Sequence, residues 1–257
     1  MQSLGEMKEI EVHELKEVKL RSPVMIEGLP GVGNVGKLVA EHLVRELNAE
    51  KIIDIYSYHL PPQVFVEKNG LVRLVRNEIY AWRSDGLDLL ILVGDYQSVT
   101  NEGHYKLAET FLDIAEKYGV SKLFTLGGYG VGHFVDKQRV IGAANDESLI
   151  EELKKYGVEF REEEPGGGII GAAGLLLGLG KMRGIKAACI MGVTSGYLVD
   201  PKSAQAVLKV LCDALGLQVD MRALEERARE MERVIERLKE IERAQSAELS
   251  EELEYIR

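Results

Sequence analysis

Short apolar runs bounded by glycines alternate along this chain with longer amphipathic stretches. Residues 24–27 (VMIE) read as a strand that enters a glycine-rich turn, and residues 37–47 then carry Leu38, Val39, Leu43 and Leu47 at helical spacing. Residues 51–57 (KIIDIYS) form a second strand. Residues 63–75 (QVFVEKNGLVRLV) predict a hairpin turning at Asn69-Gly70, a dipeptide suited to a tight turn. Residues 78–83 add a strand. Residues 87–93 (LDLLILV) are so continuously apolar that they predict a parallel strand buried on both faces.

The alternation continues beyond this point. Residues 103–118 read as a helix ending at Gly119, and residues 122–126 as a strand leaving through Gly127-Gly128-Tyr129-Gly130. Residues 139–144 are β-like, and residues 148–156 are a helix ending at Gly157. The stretch 169–179 mixes apolar residues with glycine and alanine at close spacing, which predicts a buried helix pressed on a sheet. Residues 185–193 are the last core strand, and Pro201 starts a helix that runs to Leu215. The pattern predicts an α/β domain over residues 1–218, a mostly parallel sheet with helices on both faces. Residues 219–257 differ. Met221, Ala228 and Ile235 recur every seven residues, as do Leu224, Met231 and Leu238, with Glu and Arg between them. This predicts a C-terminal helical extension with a narrow apolar seam that must be buried on its own domain, a symmetry mate or a partner.

Composition narrows the function classes. In 257 residues, 46% hydrophobic and 29% charged residues suffice for a core and a solvated surface. A net charge of -10 repels phosphate backbones, so nucleic acid is not expected as a partner. The longest apolar stretch, 166–180, is rich in glycine and shorter than the roughly 20 residues a membrane span needs. The N-terminal MQSLGE lacks the character of a signal peptide, so a cytoplasmic location without membrane contact is expected. Cys189 and Cys212 lie in apolar patterns and read as buried small side chains. With no Cys pair, and with His13, His42, His59, His104 and His133 scattered, no metal site is expected.

The most prominent motif runs from Gly28 through Leu29-Pro30-Gly31-Val32-Gly33-Asn34-Val35 to Gly36-Lys37. It contains GxGxxG between a strand and a helix, the context of dinucleotide binding, and GxxxxGK, most of a phosphate loop. Gly31, Gly33, Gly36 and Lys37 are therefore the candidate phosphate contacts. Each reading fails a check. Leu38 stands where a phosphate loop needs Ser or Thr for magnesium, and Asp54 lies inside its strand rather than at the end. Pro30 also removes a backbone N–H. Three further glycine loops, at 127–133, 165–168 and 192–197, fall near strand ends, where open α/β sheets hold their ligands. Asp95, Glu102, His104, Asp136 and Asp200 are candidates to gather there, yet they form no triad or carboxylate pair. Ser195 lacks the GxSxG elbow. No catalytic residue, cofactor or metal is assigned, and the chain reads as a binding protein rather than an enzyme.

Several motifs, in order, resemble the archaeal branch of the proteasome assembly chaperone family. They are the run from Gly28 to Gly36, Tyr58-His59-Leu60-Pro61-Pro62, Leu126-Gly127-Gly128-Tyr129 and Gly168-Ile169-Ile170-Gly171. The resemblance spans roughly residues 8–215. It implies a Rossmann-like α/β fold related in shape to nucleoside phosphorylases, and homo-oligomers that act on proteasome α subunits or the 20S particle. Tyr129, Phe134 and Tyr197 would then contribute loop contacts. It also implies partner binding by a C-terminal hydrophobic–tyrosine–any tail, here represented by Leu253, Tyr255, Ile256 and Arg257. The tyrosine stands one place earlier than in that pattern. The alternative is a nucleotide-binding enzyme, ATP-grasp-like or phosphorylase-like, using the crevice at the glycine loops, but no ATP-grasp signature is present.

Overall fold

The computed structural model describes residues 7–135, 137–231, 233–234 and 236–237. Its centre is one eight-stranded sheet built from β1 (Ile10–Glu14), β2 (Val24–Glu27), β3 (Glu50–Ser57), β6 (Asn77–Arg83), β7 (Asp88–Gly94), β8 (Lys122–Gly130), β9 (Val140–Ala144) and β10 (Ala187–Thr194). The order across the sheet is β1-β3-β6-β7-β2-β8-β10-β9. β7, β2, β8 and β10 are parallel neighbours, while β6, β3 and β1 extend one side and β9 closes the other, all antiparallel. The continuously apolar strands are thus the parallel centre, and every residue of β7 and β10 is buried.

Helices cover both faces. On one face α2 (Asn101–Lys117) and α4 (Ala172–Met182) pack through Phe111, Leu112 and Leu176 on Met25, Leu90 and Cys189. On the other, α1 (Val35–Glu46), α3 (Glu147–Lys154) and α5 (Pro201–Leu215) pack through Val39, Leu43, Leu153 and Val207 on Ile26, Ile91 and Ile190. Alternate residues of each central strand serve opposite faces, as the two-residue period of a strand requires. Thr100 caps α2 by accepting from the Gly103 amide, and Asp200 caps α5 by accepting from the Ser203 amide, with Pro201 in the first turn.

Four sequence expectations change. β1 was not legible in the pattern: it is an edge strand with alternating Glu and His, and only its pairing with β3 makes it a strand. Gly127 to Gly130 do not leave the sheet but extend β8, because they pair in register with Met191 to Thr194. Gly192 to Thr194 likewise belong to β10 rather than to a loop after it. α4 begins at Ala172, not at 169, and Ile170 before it is 90% exposed. The chain bends at Gly171, which has φ +85 and leaves no room for a Cβ beside Gln97 Oε1.

The C-terminal extension docks at its start. Residues 222–231 are helical; Leu224 is buried on the α1–α5 side, with Met221 partly buried there, and Ala228 is buried as well. His42, fully buried on α1, holds the approach through a 2.6 Å hydrogen bond between Nε2 and the Asp220 carbonyl. The first part of the heptad seam is therefore spent on the chain's own domain. Ile235 and Leu238 lie outside the described residues.

Candidate functional site

The glycine turn between β2 and α1 is a packing device. A Cβ on Gly36 would lie 2.2 Å from the Leu126 carbonyl oxygen, and one on Gly28 would lie 2.3 Å from the Gly36 carbonyl oxygen. The two glycines let α1 press directly on the sheet. Lys37, the candidate phosphate contact, is engaged elsewhere: Nζ donates to the Gly94 carbonyl at 3.1 Å and lies 3.5 Å from Glu41. Nor does the acid of a dinucleotide site arrive. β3 is separated from β2 by β6 and β7, so Asp54 belongs to a charge cluster with Lys51 at 3.1 Å and Arg76 at 3.4 Å. Of the four motif residues, Gly31 alone faces the neighbouring cavity.

That cavity, of ≈ 520 Å³, opens at the carboxyl ends of β2, β8 and β10, where parallel sheets hold ligands. Gly127, Gly128 and Gly130 form one wall, and the 168–171 loop another. Gln97 ties the two sides together: its Nε2 donates to the Pro30 carbonyl at 2.7 Å, and its Oε1 accepts from the Ala172 amide at 3.0 Å. Glu27, Cys189 and His104 also line it. Glu27 is 1% exposed. Its Oε1 accepts from the Leu29 amide at 2.9 Å, while Oε2 has no hydrogen-bond partner among the described residues. Burial pushes its carboxyl up to about 7, against the pull of the Leu29 and Leu126 amides. Burial likewise pushes the Cys189 thiol up to about 12 and His104 below its ordinary value.

Of the crevice candidates read from sequence, His104 alone lines this cavity among the described residues. Asp95 is held by Arg73, Asp200 caps α5, and Glu102 pairs with Lys106 at 2.7 Å. Ser195 accepts from the Tyr197 amide in a turn. Asp136 lies outside the described residues. Glu27 was missed. Its signal was a lone acid closing an otherwise apolar strand, in a position where both neighbouring strands bury it.

A second unusual surface is the hairpin of β4 (Val64–Val66) and β5 (Val72–Leu74), a separate two-stranded sheet. The predicted turn at Asn69-Gly70 is present, with Asn69 Oδ1 accepting from the Leu71 amide. Its alternation is inverted. Phe65 and Arg73, which pair across the strands, face the body: Arg73 stands 4.6 Å over the Phe65 ring, and Phe65 stacks on Tyr96. Arg73 grips Asp95 at 2.6 and 2.9 Å. Burial alone would raise the Asp95 carboxyl, but Arg73 and the Arg76 amide outweigh it and hold it below the usual range. The opposite face carries the apolar residues: Val66 is 72% exposed, Val72 64% and Leu74 51%, with Leu71 beside them at 64%. A groove of ≈ 420 Å³ runs on from this face along Tyr58, Leu60, Pro61 and Pro62.

Comparison with known proteins places the chain. The PAC2 family model matches residues 25–239. The chain belongs to the PAC2 family. It is 40% identical to the uncharacterized protein MJ1210 of Methanocaldococcus jannaschii, over 97% of this chain and 98% of that one. Among solved structures it is similar to Pyrococcus furiosus PbaB, described as an archaeal proteasome activator, at 42% identity and a TM-score of 0.85, covering 91% of this chain and 100% of the other. It is also similar to Pyrococcus furiosus PbaA, an archaeal homolog of proteasome-assembly chaperone, at 28% identity and a TM-score of 0.75, covering 97% and 99%. The resemblance carried by the sequence motifs therefore holds.

Within this PAC2 protein, the family-like motifs fall into two groups. The glycine turn, Leu126 to Tyr129 and Gly168 to Gly171 surround the crevice, whereas Tyr58 to Pro62 line the groove beside the hairpin. His59 anchors the latter segment: its Nδ1 is 2.8 Å from Thr100 Oγ1 and its Nε2 is 2.8 Å from Glu9. Tyr197 is 72% exposed, with its hydroxyl donating to the Gly132 carbonyl at 2.9 Å. Leu253, Tyr255, Ile256 and Arg257 lie outside the described residues. No described helix is long and apolar enough to cross a membrane, and no metal-binding cluster of His, Cys, Asp or Glu occurs among the described residues.

Proposed function

We propose that this PAC2 protein is a proteasome assembly chaperone-like or adaptor protein, which forms a homo-oligomer and binds proteasome α subunits. The observation that carries the oligomer is the inverted hairpin. Four large apolar side chains, Val66, Leu71, Val72 and Leu74, stand more than half exposed on one small element while its Arg73 faces inward. A contiguous apolar patch of this kind marks a protein contact. The Tyr58–Pro62 groove continues the patch with rigid, low-entropy side chains. Similarity to an archaeal proteasome activator at 42% identity supports the proteasome as client. The C-terminal residues Leu253, Tyr255, Ile256 and Arg257 are the segment proposed to dock between α subunits. Affinity would come from desolvated apolar anchors, with no covalent step.

Two measurements test this reading. Light scattering on the purified chain should give a mass that is a multiple of 28.6 kDa, falling to a single subunit for Val66→Lys with Val72→Lys. Pull-down with an archaeal 20S proteasome should retain the full chain and lose most of a chain lacking residues 253–257. A monomeric full chain overturns the oligomer, and undiminished retention without the tail overturns the docking role.

A further inference from the structure

Protein contacts leave the crevice at the ends of β2, β8 and β10 unexplained. It shares no residue with the hairpin or its groove. Its size of ≈ 520 Å³ falls within the range of small-molecule sites, about 300–1,000 Å³. Its body is apolar, from Leu29, Leu126, Ile169 and Met191. One wall has no side chain at Gly127, where a Cβ would meet only Met191 Cγ at 3.7 Å, whereas the space beside Gly128 is taken by the Val32 carbonyl oxygen, 2.3 Å from where its Cβ would lie.

The charge pattern selects among ligands. Among the described residues no Lys or Arg lines the cavity, and Lys37, the cation of the glycine motif, is turned to Gly94 and Glu41 instead. His104 is the one basic side chain among the described residues that line it, and its burial favours the neutral imidazole. A phosphate or carboxylate would enter a site without a counter-charge and meet Glu27. Buried polar atoms are ordinarily hydrogen-bonded, yet Glu27 Oε2 has no partner among the described residues; above about pH 7, where the carboxyl ionises, it is an acceptor left unmet. It sits on a residue that lines the cavity.

We propose that this cavity binds a compact organic molecule with an apolar body and no negative charge, which draws the buried Glu27 carboxyl toward the opening and donates an N–H or O–H to Oε2. The geometry explains why the glycine motif survives without a phosphate loop's serine or threonine. Its glycines bring α1 against the sheet and leave the strand ends open to a ligand recognised by a carboxyl group. Gln97 then acts as a positioning residue, holding the Pro30 turn and the Ala172 helix start at a fixed separation across the opening.

The test is ligand-observed NMR at pH 8.5, where the Glu27 carboxyl is ionised, on the full chain with four single-ring probes of matched size: benzamide, benzamidine, benzoate and toluene. Benzamide and benzamidine should bind at least about ten-fold more tightly than benzoate and toluene, since a missing donor or a wrong charge at one buried carboxyl is worth a factor of that order. Glu27→Leu should erase this preference. Ile169→Trp, which fills the cavity without touching the carboxyl, should weaken every probe that binds, and a melting curve on each variant establishes that it is folded. Benzoate binding as well as benzamide, benzamide binding unchanged in folded Glu27→Leu or Ile169→Trp, or no binding by any probe at millimolar concentration would each overturn the proposal. Oligomer and proteasome measurements do not bear on these outcomes, so this proposal and the chaperone reading fail separately.

Discussion

The β4–β5 hairpin turns valines and a leucine to solvent and its arginine inward, whereas the crevice hides a carboxyl group among apolar residues and glycines. Both depart from the ordinary partition of side chains, in opposite directions. They also differ in what surrounds them. The crevice lies at the ends of the parallel strands β2, β8 and β10, beside the close backbone contacts at Gly28, Gly36 and Gly128, so that side of it has little room to adjust. The hairpin is a two-stranded ribbon joined to the body by Phe65, Arg73 and their partners, with open solvent on its outer face. Substitutions should therefore be punished at the crevice and tolerated at the hairpin, unless a partner is present.

The largest expected effect is at the back of the crevice. Gly36→Val places a branched side chain where a Cβ already meets the Leu126 carbonyl oxygen at 2.2 Å. Backbone stands on both sides, so nothing flexible can yield. The cost should be about 4 kcal/mol or more, at the upper end of overpacking effects, measured by urea unfolding. A loss below about 1 kcal/mol would show that α1 can slide, and the contrast in rigidity would go with it.

Next comes the buried acid. The Glu27 carboxyl is pushed up to about 7 from an ordinary value of 4.5. Below about 4.5 it is protonated in folded and unfolded chains alike and contributes nothing to the pH dependence. Between these values the unfolded chain has released its proton while the folded chain keeps it, so stability falls as pH rises. Above about 7 the full penalty stands. Glu27→Gln does not titrate, so its stability relative to the parent should improve by about 3 kcal/mol between pH 4 and pH 8.5. Parallel pH profiles for the two proteins would contradict the burial of this charge.

The hairpin's tether should matter less. Arg73 makes two hydrogen bonds to Asp95 and covers the Phe65 ring, but its side chain is 29% exposed, so solvent screens part of the gain. Arg73→Ala should cost about 1 kcal/mol of global stability, read from the same unfolding curves. Amide exchange should quicken in residues 64–74 while the strands of the large sheet keep their protection.

How much of this was readable in the sequence follows the same division. The apolar runs gave the parallel centre and the helices on both faces, because continuous burial leaves an unmistakable pattern, as at 87–93. The hairpin was readable from Asn69-Gly70, but its inversion was not, since alternation reveals two faces without saying which is inside. That is decided by Asp95, some 20 residues further on, waiting for Arg73. The glycine motif pointed toward phosphate, and Leu38 and the place of Asp54 inside its strand already spoke against it; strand order, invisible locally, adds the physical reason, since β6 and β7 are inserted between β2 and β3 and carry Asp54 away from the turn. Glu27 was overlooked for a related reason, as its burial depends on β7 and β8, which come much later in the chain. β1 alternates only Ile10 and Val12 with Glu11 and His13, a signature too short to stand out, and it is held in place by β3.

The smallest expected effect is the most telling one. Val66→Lys with Val72→Lys replaces two side chains that touch little of their own molecule, at 72% and 64% exposure. In a chain diluted until it is monomeric, the double variant should unfold within about 0.5 kcal/mol of the parent, as surface substitutions do. At higher concentration the two should diverge, because association stabilises by mass action only a chain that can associate. The parent's melting temperature should climb with concentration and the variant's should stay flat. A variant already destabilised by more than about 1 kcal/mol when dilute would mean that the valines serve the fold. In that case the outward face of the hairpin belongs to the monomer's own packing, and its likeness to an interface is lost.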